Sequence, residues 1–129
     1  MADARKREAR GFRDLDVYKL AYRLAMEIFQ ASKSFPPEER YSLTGQVRRA
    51  SRSVPAIIGE GYRKRRYKKV FILKLADADG EASETQVWLD FSCDCGYLSP
   101  DKHKELTSGY ERVGRMLGRM MDHPERFCS

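Results

Sequence analysis

No stretch of this 129-residue chain approaches the ~18 consecutive apolar residues that a membrane-crossing helix requires. Strand-like alternation is also absent, and no Asn-Gly or Asp-Gly pair sits between two alternating runs as a hairpin turn would. Cysteine is scarce. Cys93, Cys95 and Cys128 make an odd count with no regular framework, which fits reduced thiols in a cytoplasmic protein better than a disulfide scaffold. The first residues, Met1 to Gly11, are polar and basic and lack the apolar segment of a signal peptide. One region is nearly without acids. From Arg48 to Lys69, 22 residues, Glu60 is the single acid against nine Lys/Arg.

The length suits one domain, and 41% apolar with 34% charged residues can bury one core and remain soluble. The net charge of +6 is unevenly placed. Residues 1–75 carry 19 Lys/Arg against 8 Asp/Glu, whereas residues 76–129 carry 6 against 11. Such asymmetry suggests nucleic acid or another anionic partner on one side of the fold, or two halves that attract each other.

Apolar residues recur at helical spacing almost throughout. A first helix is expected from the N-cap candidate Asp14 to about Lys33, with Val17, Ala21, Leu24 and Ile28 on one face and Leu20 and Ala25 beside them. Phe35-Pro36-Pro37 ends it. A second begins near Ser42, with a stripe of Leu43, Val47, Ala50, Val54 and Ile57/Ile58. Pro55 should kink this helix, and termination is expected near Gly61 to Arg63. A third, from about Arg66 to Cys95, repeats Phe71, Leu75, Ala78, Ala82, Thr85, Leu89 and Ser92, a bundle seam closed by Gly96. Ser99-Pro100-Asp101 starts a fourth helix bearing His103, Leu106, Tyr110, Val113, Leu117 and Met120, which Pro124 ends. The expected fold is all-α: an up-down-up-down antiparallel four-helix bundle over residues 12–123, with residues 1–11 as a mobile basic arm and 124–129 as a C-terminal tail.

Several stretches carry a family likeness: Phe12-Arg13-Asp14-Leu15 with Val17-Tyr18 and Ala21; Phe35-Pro36 with Glu38 to Thr44; Gln46-Val47-Arg48-Arg49-Ala50; Ser53-Val54-Pro55-Ala56; Gly59-Glu60-Gly61-Tyr62; Glu84-Thr85-Gln86-Val87; and Gly96-Tyr97-Leu98. In this ordered set the chain resembles the four-helix-bundle proteins encoded in intervening sequences of bacterial 23S ribosomal RNA genes. The resemblance implies a cytosolic bundle that assembles as a ring-shaped homopentamer. It also implies kinship with accessory proteins of diversity-generating retroelements, whose basic surface engages nucleic acid and a partner reverse transcriptase. It supplies no catalytic residue. Family members commonly have Asn two residues after the proline of the second helix, where this chain has Ile57.

The basic residues form two clusters. Arg48, Arg49 and Arg52 lie within about 100° of one another on a helical wheel, opposite the core stripe, and read as an outward face for phosphate or a partner, or as a solvated surface. Arg63, Lys64, Arg65, Arg66, Lys68 and Lys69 crowd a helix-helix junction beside Tyr62 and Tyr67, whose rings are candidates for stacking on bases. No groove-reading motif accompanies them, so backbone rather than base recognition is expected. Arg112, Arg115 and Arg119 form a further basic stripe, read as a solvated face.

Asp77, Glu81, Glu84 and Trp88 line one flank of the third helix. They suit a subunit interface in which acids meet a neighbour's basic residues, or burial within the monomer. A carboxylate di-metal site would need Glu-x-x-His, which neither His103 nor His123 offers, and no metal or cofactor is expected. Cys93 and Cys95 point about 200° apart on a helix, with Cys95 expected inside and Cys93 at the surface. Glu60 reads as a structural ion pair, not a catalytic acid. The sequence therefore points to a non-enzymatic, oligomeric protein that binds RNA or DNA through a basic surface. The alternative is a scaffold or accessory subunit docking an acidic partner such as a reverse transcriptase.

Overall fold

The computed structural model describes residues 11–128. The expected N-terminal arm, Gly11 apart, lies outside the described residues. Four helices, α1 (Asp16–Ser32), α2 (Leu43–Arg63), α3 (Lys68–Asp94) and α4 (Pro100–Asp122), are joined by short connections, and no strand occurs among the described residues. Single 3-10 turns lie at Phe12–Asp14, Pro37–Glu39 and Pro124–Arg126.

Each helix packs on its chain neighbours, and α1 closes the square against α4. Cross-helix pairs fix the directions. Arg48 meets Ser32 near the start of α2 and the end of α1, while Phe12 lies against Gly59 at the opposite end. Arg49 meets Glu84 whereas Glu60 meets Lys74, Asp90 meets His103 whereas Gly114 approaches Asp79, and Glu27 meets Lys102. Every adjacent pair therefore runs antiparallel, and the up-down-up-down order holds.

The core follows the apolar periodicity. The α3 seam of Phe71, Leu75, Ala78, Ala82, Thr85, Leu89 and Ser92 is buried along its whole length. Its polar members satisfy themselves within the helix: Thr85 Oγ1 donates to the Glu81 carbonyl and Ser92 Oγ to that of Trp88, both at 2.8 Å. The α1, α2 and α4 stripes are buried too, except that Ile57 and His103 are half-buried, the His103 ring bonded to Asp90. α2 continues unbroken through Pro55, between the fully buried Val54 and Ile58.

The helix ends show where side chains do the work that the backbone cannot. Gly96, at φ +81°, takes the left-handed position that closes α3, and its amide bonds the Cys93 carbonyl. Ser99 caps α4 by accepting from the Lys102 amide at 3.1 Å. Asp14 does not cap α1. It closes the 3-10 turn, and Leu15 occupies the N-cap position with its side chain buried. At α2 the capping acceptor is Glu39, not Ser42. One Glu39 oxygen accepts from the Ser42 hydroxyl at 2.6 Å and from the Leu43 amide at 3.4 Å, while the other accepts from the Tyr97 hydroxyl at 3.1 Å. These bonds, led by Ser42 and then Tyr97, hold the Glu39 carboxyl below its ordinary pKa.

The cysteine expectation is corrected. Cys95 is exposed and Cys93 half-buried, because α3 stops at Asp94 and the chain turns away before Cys95 meets a neighbouring helix. Residues 124–128 fold back on the bundle. Pro124 is buried, and the Phe127 ring lies 6.1 Å from that of Phe71.

Close approach is steric as well as apolar. A Cβ on Gly61 would stand 2.8 Å from the Cβ of Lys74, an atom too near the α3 backbone to move aside cheaply. Gly80 faces open space on the outside of α3. Gly61→Ala should therefore destabilise the fold by about 1–3 kcal/mol. Gly80→Ala should instead stabilise it by about 0.5–1 kcal/mol, as alanine does in an unhindered helix interior. Urea unfolding of the two variants checks the opposite signs.

Candidate nucleic-acid interface

The turn from α2 to α3 is held from below by two buried rings, Tyr62 at the end of α2 and Phe71 in the first turns of α3. Residues 64–67 between the helices carry no aliphatic side chain that could seek the core, so their cations fan outward. Arg63, Lys64, Arg66, Lys68 and Lys69 are all exposed. Among the described residues, Arg63, Arg66, Lys68 and Lys69 make no ion pair within 4 Å, and Lys64 reaches Glu60 at 3.5 Å. Arg65 folds back: its guanidinium lies 4.0 Å above the Tyr62 ring and donates to the Tyr62 carbonyl at 3.0 Å.

Lys68 and Lys69 are the first two residues of α3, and no acid stands in that first turn. Cations there oppose the positive end of the helix dipole. Part of the Lys68 charge is met by Glu125, whose carboxyl is held below its ordinary pKa first by a backbone hydrogen bond and further by His123 and Lys68. A bound anion would offset both ammonium groups.

The first arginine cluster is not one face. Arg48 Nε donates to Ser32 Oγ at 2.8 Å, and its guanidinium lies 4.9 Å from the Phe29 ring of α1. Arg52 leans to the same ring at 5.8 Å. Arg49 turns the other way, hydrogen-bonds Glu84 of α3 and stands 3.6 Å from Glu81. The wheel set all three outward, but long side chains on a packed helix bend back to the nearest partner on either side.

Tyr62 is also corrected as a stacking candidate. It continues the α2 core stripe four residues after Ile58, is only 5% exposed, and has Arg65 over its ring. Tyr67 stands 60% exposed beside the cations and is open to a base. Arg112, Arg115 and Arg119 are exposed along α4. Glu60 is at the surface, tied to Lys74 at 3.0 Å, which leads in holding its carboxyl below the ordinary pKa.

The acidic flank of α3 is engaged within the chain. Glu81 and Glu84 share Arg49, and one Glu81 oxygen is buried without a hydrogen bond. Burial first, and the Glu84 charge second, push the Glu81 carboxyl above its ordinary pKa. Asp77 is exposed, and Trp88 is half-buried with its Nε1 unbonded among the described residues. Nearby on α3, Leu73, Val87 and Phe91 are exposed, so this helix is apolar on its outer as well as its inner side.

The periodicity gave no notice of a groove of about 520 Å³ between α1 and α2, lined by Tyr18, Tyr22 and Met26 on one side and by Pro55, Ala56 and Gly59 on the other. Its signal was present, since Tyr18, Tyr22 and Met26 repeat every four residues beside the core stripe. A groove made by two helices, however, is not a property of either one.

The profile of the family described as 23S rRNA-intervening sequence protein matches residues 13–119. The chain belongs to this family. A crystal structure of a protein of unknown function from Bacteroides thetaiotaomicron, of the S23 ribosomal protein family, superposes on this intervening sequence protein with a TM-score of 0.73. The two are 23% identical over 81% of this chain and 97% of the other, a likeness of fold. None of the curated proteins matches. No helix of this family member is long and apolar enough to cross a membrane, and among its described residues no three His, Cys, Asp or Glu side chains are grouped to hold a metal ion.

Glu81 supplies a pH signature. Its raised pKa means that ionised Glu81 costs stability above the folded-state pKa, a cost that vanishes as pH falls below the usual carboxylate value of 4.5. Glu81→Gln should be more stable than the parent protein at pH 7, and the difference should close on acidification. Glu84→Gln, which loses the Arg49 bond, should be less stable at pH 7 by about 0.2–1 kcal/mol, as expected for a partly exposed pair. Thermal unfolding at pH 7 and pH 4 checks both.

Proposed function

We propose that this protein is a non-enzymatic, oligomeric nucleic-acid-associated protein that holds the RNA or DNA backbone at the α2–α3 junction. One observation carries the reading: Arg63, Arg66, Lys68 and Lys69 are exposed together and, among the described residues, make no ion pair within 4 Å, two of them at the helix end where their charge is least welcome. Lys64 and Arg65 stand beside them, and Tyr67 offers a ring to an unpaired base. Phosphates would neutralise this cluster without reading sequence.

The outer face of α3 supports assembly. Val87 and Phe91 beside Trp88 form an apolar strip toward the end of α3 that a second copy would cover, while Leu73 stands apart on the same face, beyond Asp77, Gly80 and Glu84. We infer a ring-shaped homo-oligomer, of five subunits as the family likeness implies, in the bacterial cytoplasm. A ring repeats the junction once per subunit, so individually weak phosphate contacts act together. The same apolar strip favours a second reading, in which it docks a protein partner such as a reverse transcriptase and the protein serves as an accessory subunit.

Fluorescence anisotropy with RNA and DNA oligonucleotides tests the main reading. The protein should bind at about 50 mM salt, with log K falling by about 0.9 per log salt for each duplex phosphate contacted. Replacing Arg63, Arg66, Lys68 and Lys69 by Gln should weaken binding at least tenfold and flatten that slope. Absence of binding, or unchanged affinity in the variant, overturns it. Light scattering tests the ring: a mass above the monomer that Phe91→Asp lowers supports it, and a monomer at micromolar concentration removes it. A reverse transcriptase that is retained after nuclease treatment, with no binding of nucleic acid by the protein alone, would favour the second reading.

A further inference from the structure

The α1–α2 groove has the ingredients of a stacking site. Tyr22 is 53% exposed and Met26 45%, so their apolar surface faces the groove and not the core. The Tyr22 ring leans on Tyr18 at 5.9 Å, and Tyr18 in turn meets the Phe12 ring edge-on at 5.2 Å. The facing wall is built from small residues, Pro55, Ala56 and Gly59, with the Phe12 ring packed on Gly59 at one end. Its volume of about 520 Å³ is in the range of small-ligand sites.

The charge around the groove is one-sided. Arg13, Arg52 and Arg63 lie along it, and Glu60, the acid among its lining residues, is already paired with Lys74 and Lys64. From Arg52 to Arg63 is about 16 Å along α2. Stacked nucleotides at ~3.4 Å each would place about five in that length. The groove also leads somewhere. Phe12, Arg13 and Arg63 line both it and a polar hollow of about 690 Å³ with Arg65, which opens on the basic junction.

We propose that this groove is a binding track for an unpaired nucleic-acid strand, whose bases stack on Tyr22 and Tyr18 while Arg13, Arg52 and Arg63 hold its phosphates. A duplex does not fit the role, since its bases are already stacked on one another and cannot enter a slot between two helices. The protein would then grip any phosphate backbone at the junction but prefer strands with free bases in the groove. This rests on the nucleic-acid reading above.

The test titrates the full-length protein with a labelled single-stranded oligoadenylate and with a blunt duplex at the same salt, and follows oligomeric mass by light scattering. Tyr22→Ala should weaken single-strand binding about tenfold or more, the scale of one lost base stack. Tyr22→Phe should restore it, and duplex affinity and mass should be unchanged in both variants. If the parent protein binds single strands and Tyr22→Ala binds them equally well, or loses both probes equally, the groove assignment falls while the junction reading stands. If Tyr22→Ala lowers the mass, the groove belongs to a neighbouring copy and the assignment falls. If the parent protein binds neither probe, the junction reading falls and takes the groove with it.

Discussion

With only a hydrogen at Gly61, α2 approaches α3 until a methyl there would stand 2.8 Å from the Cβ of Lys74. That proximity sets the geometry of the whole basic end. It brings Lys74 to Glu60, seats Tyr62 and Phe71 in the core on either side of the turn, and leaves residues 64–67 as a short outward arch. An arch so short, without aliphatic side chains, leaves Lys64 and Arg66 exposed, and only Arg65 folds back onto Tyr62. The crowding of positive charge is thus a result of helix packing as much as of composition, and a looser seam would let Arg63 and Lys64 spread along the helices.

The same seam settles part of the chain's charge imbalance. Arg49 lies between Glu81 and Glu84, so a basic residue of the first half meets acids of the second inside one subunit. Among the described residues, Arg63, Arg66, Lys68 and Lys69 at the junction are left out of such pairs, as are Arg112, Arg115 and Arg119 on α4. Attraction between halves and a crowded basic turn are both present, at different heights on the same pair of helices.

Much of the fold was legible because its signals are local. The α3 seam is the buried set residue for residue, and the Gly96 and Ser99 ends are where their chemistry requires them. The misreadings share another cause. Asp14, Arg48, Arg49 and Cys95 are all decided by a partner distant in sequence or by where a helix happens to start or stop. Tyr62 was legible, as the next step of the α2 stripe after Ile58, and was misread because its neighbours are cationic. Of the candidate site, the junction could be read directly from sequence. The groove could not, because half of it is contributed by Tyr18, Tyr22 and Met26 on another helix.

The placement of Phe12 and Phe127 has a consequence of its own. Phe12 rests on Gly59 and Phe127 on Phe71, so chain entry, chain exit and the α2–α3 turn all sit at one pole of the bundle. The opposite pole is where Phe35 meets Tyr97, with Glu38, Glu39, Asp94 and Asp101 around it. Lys33, Arg40 and Lys102 mix with the acids at that pole, whereas residues 63–69 hold six Lys/Arg and no acid, so the two tips differ in charge. In the field of a polyanion such a rod is turned before it touches, and it arrives tip first.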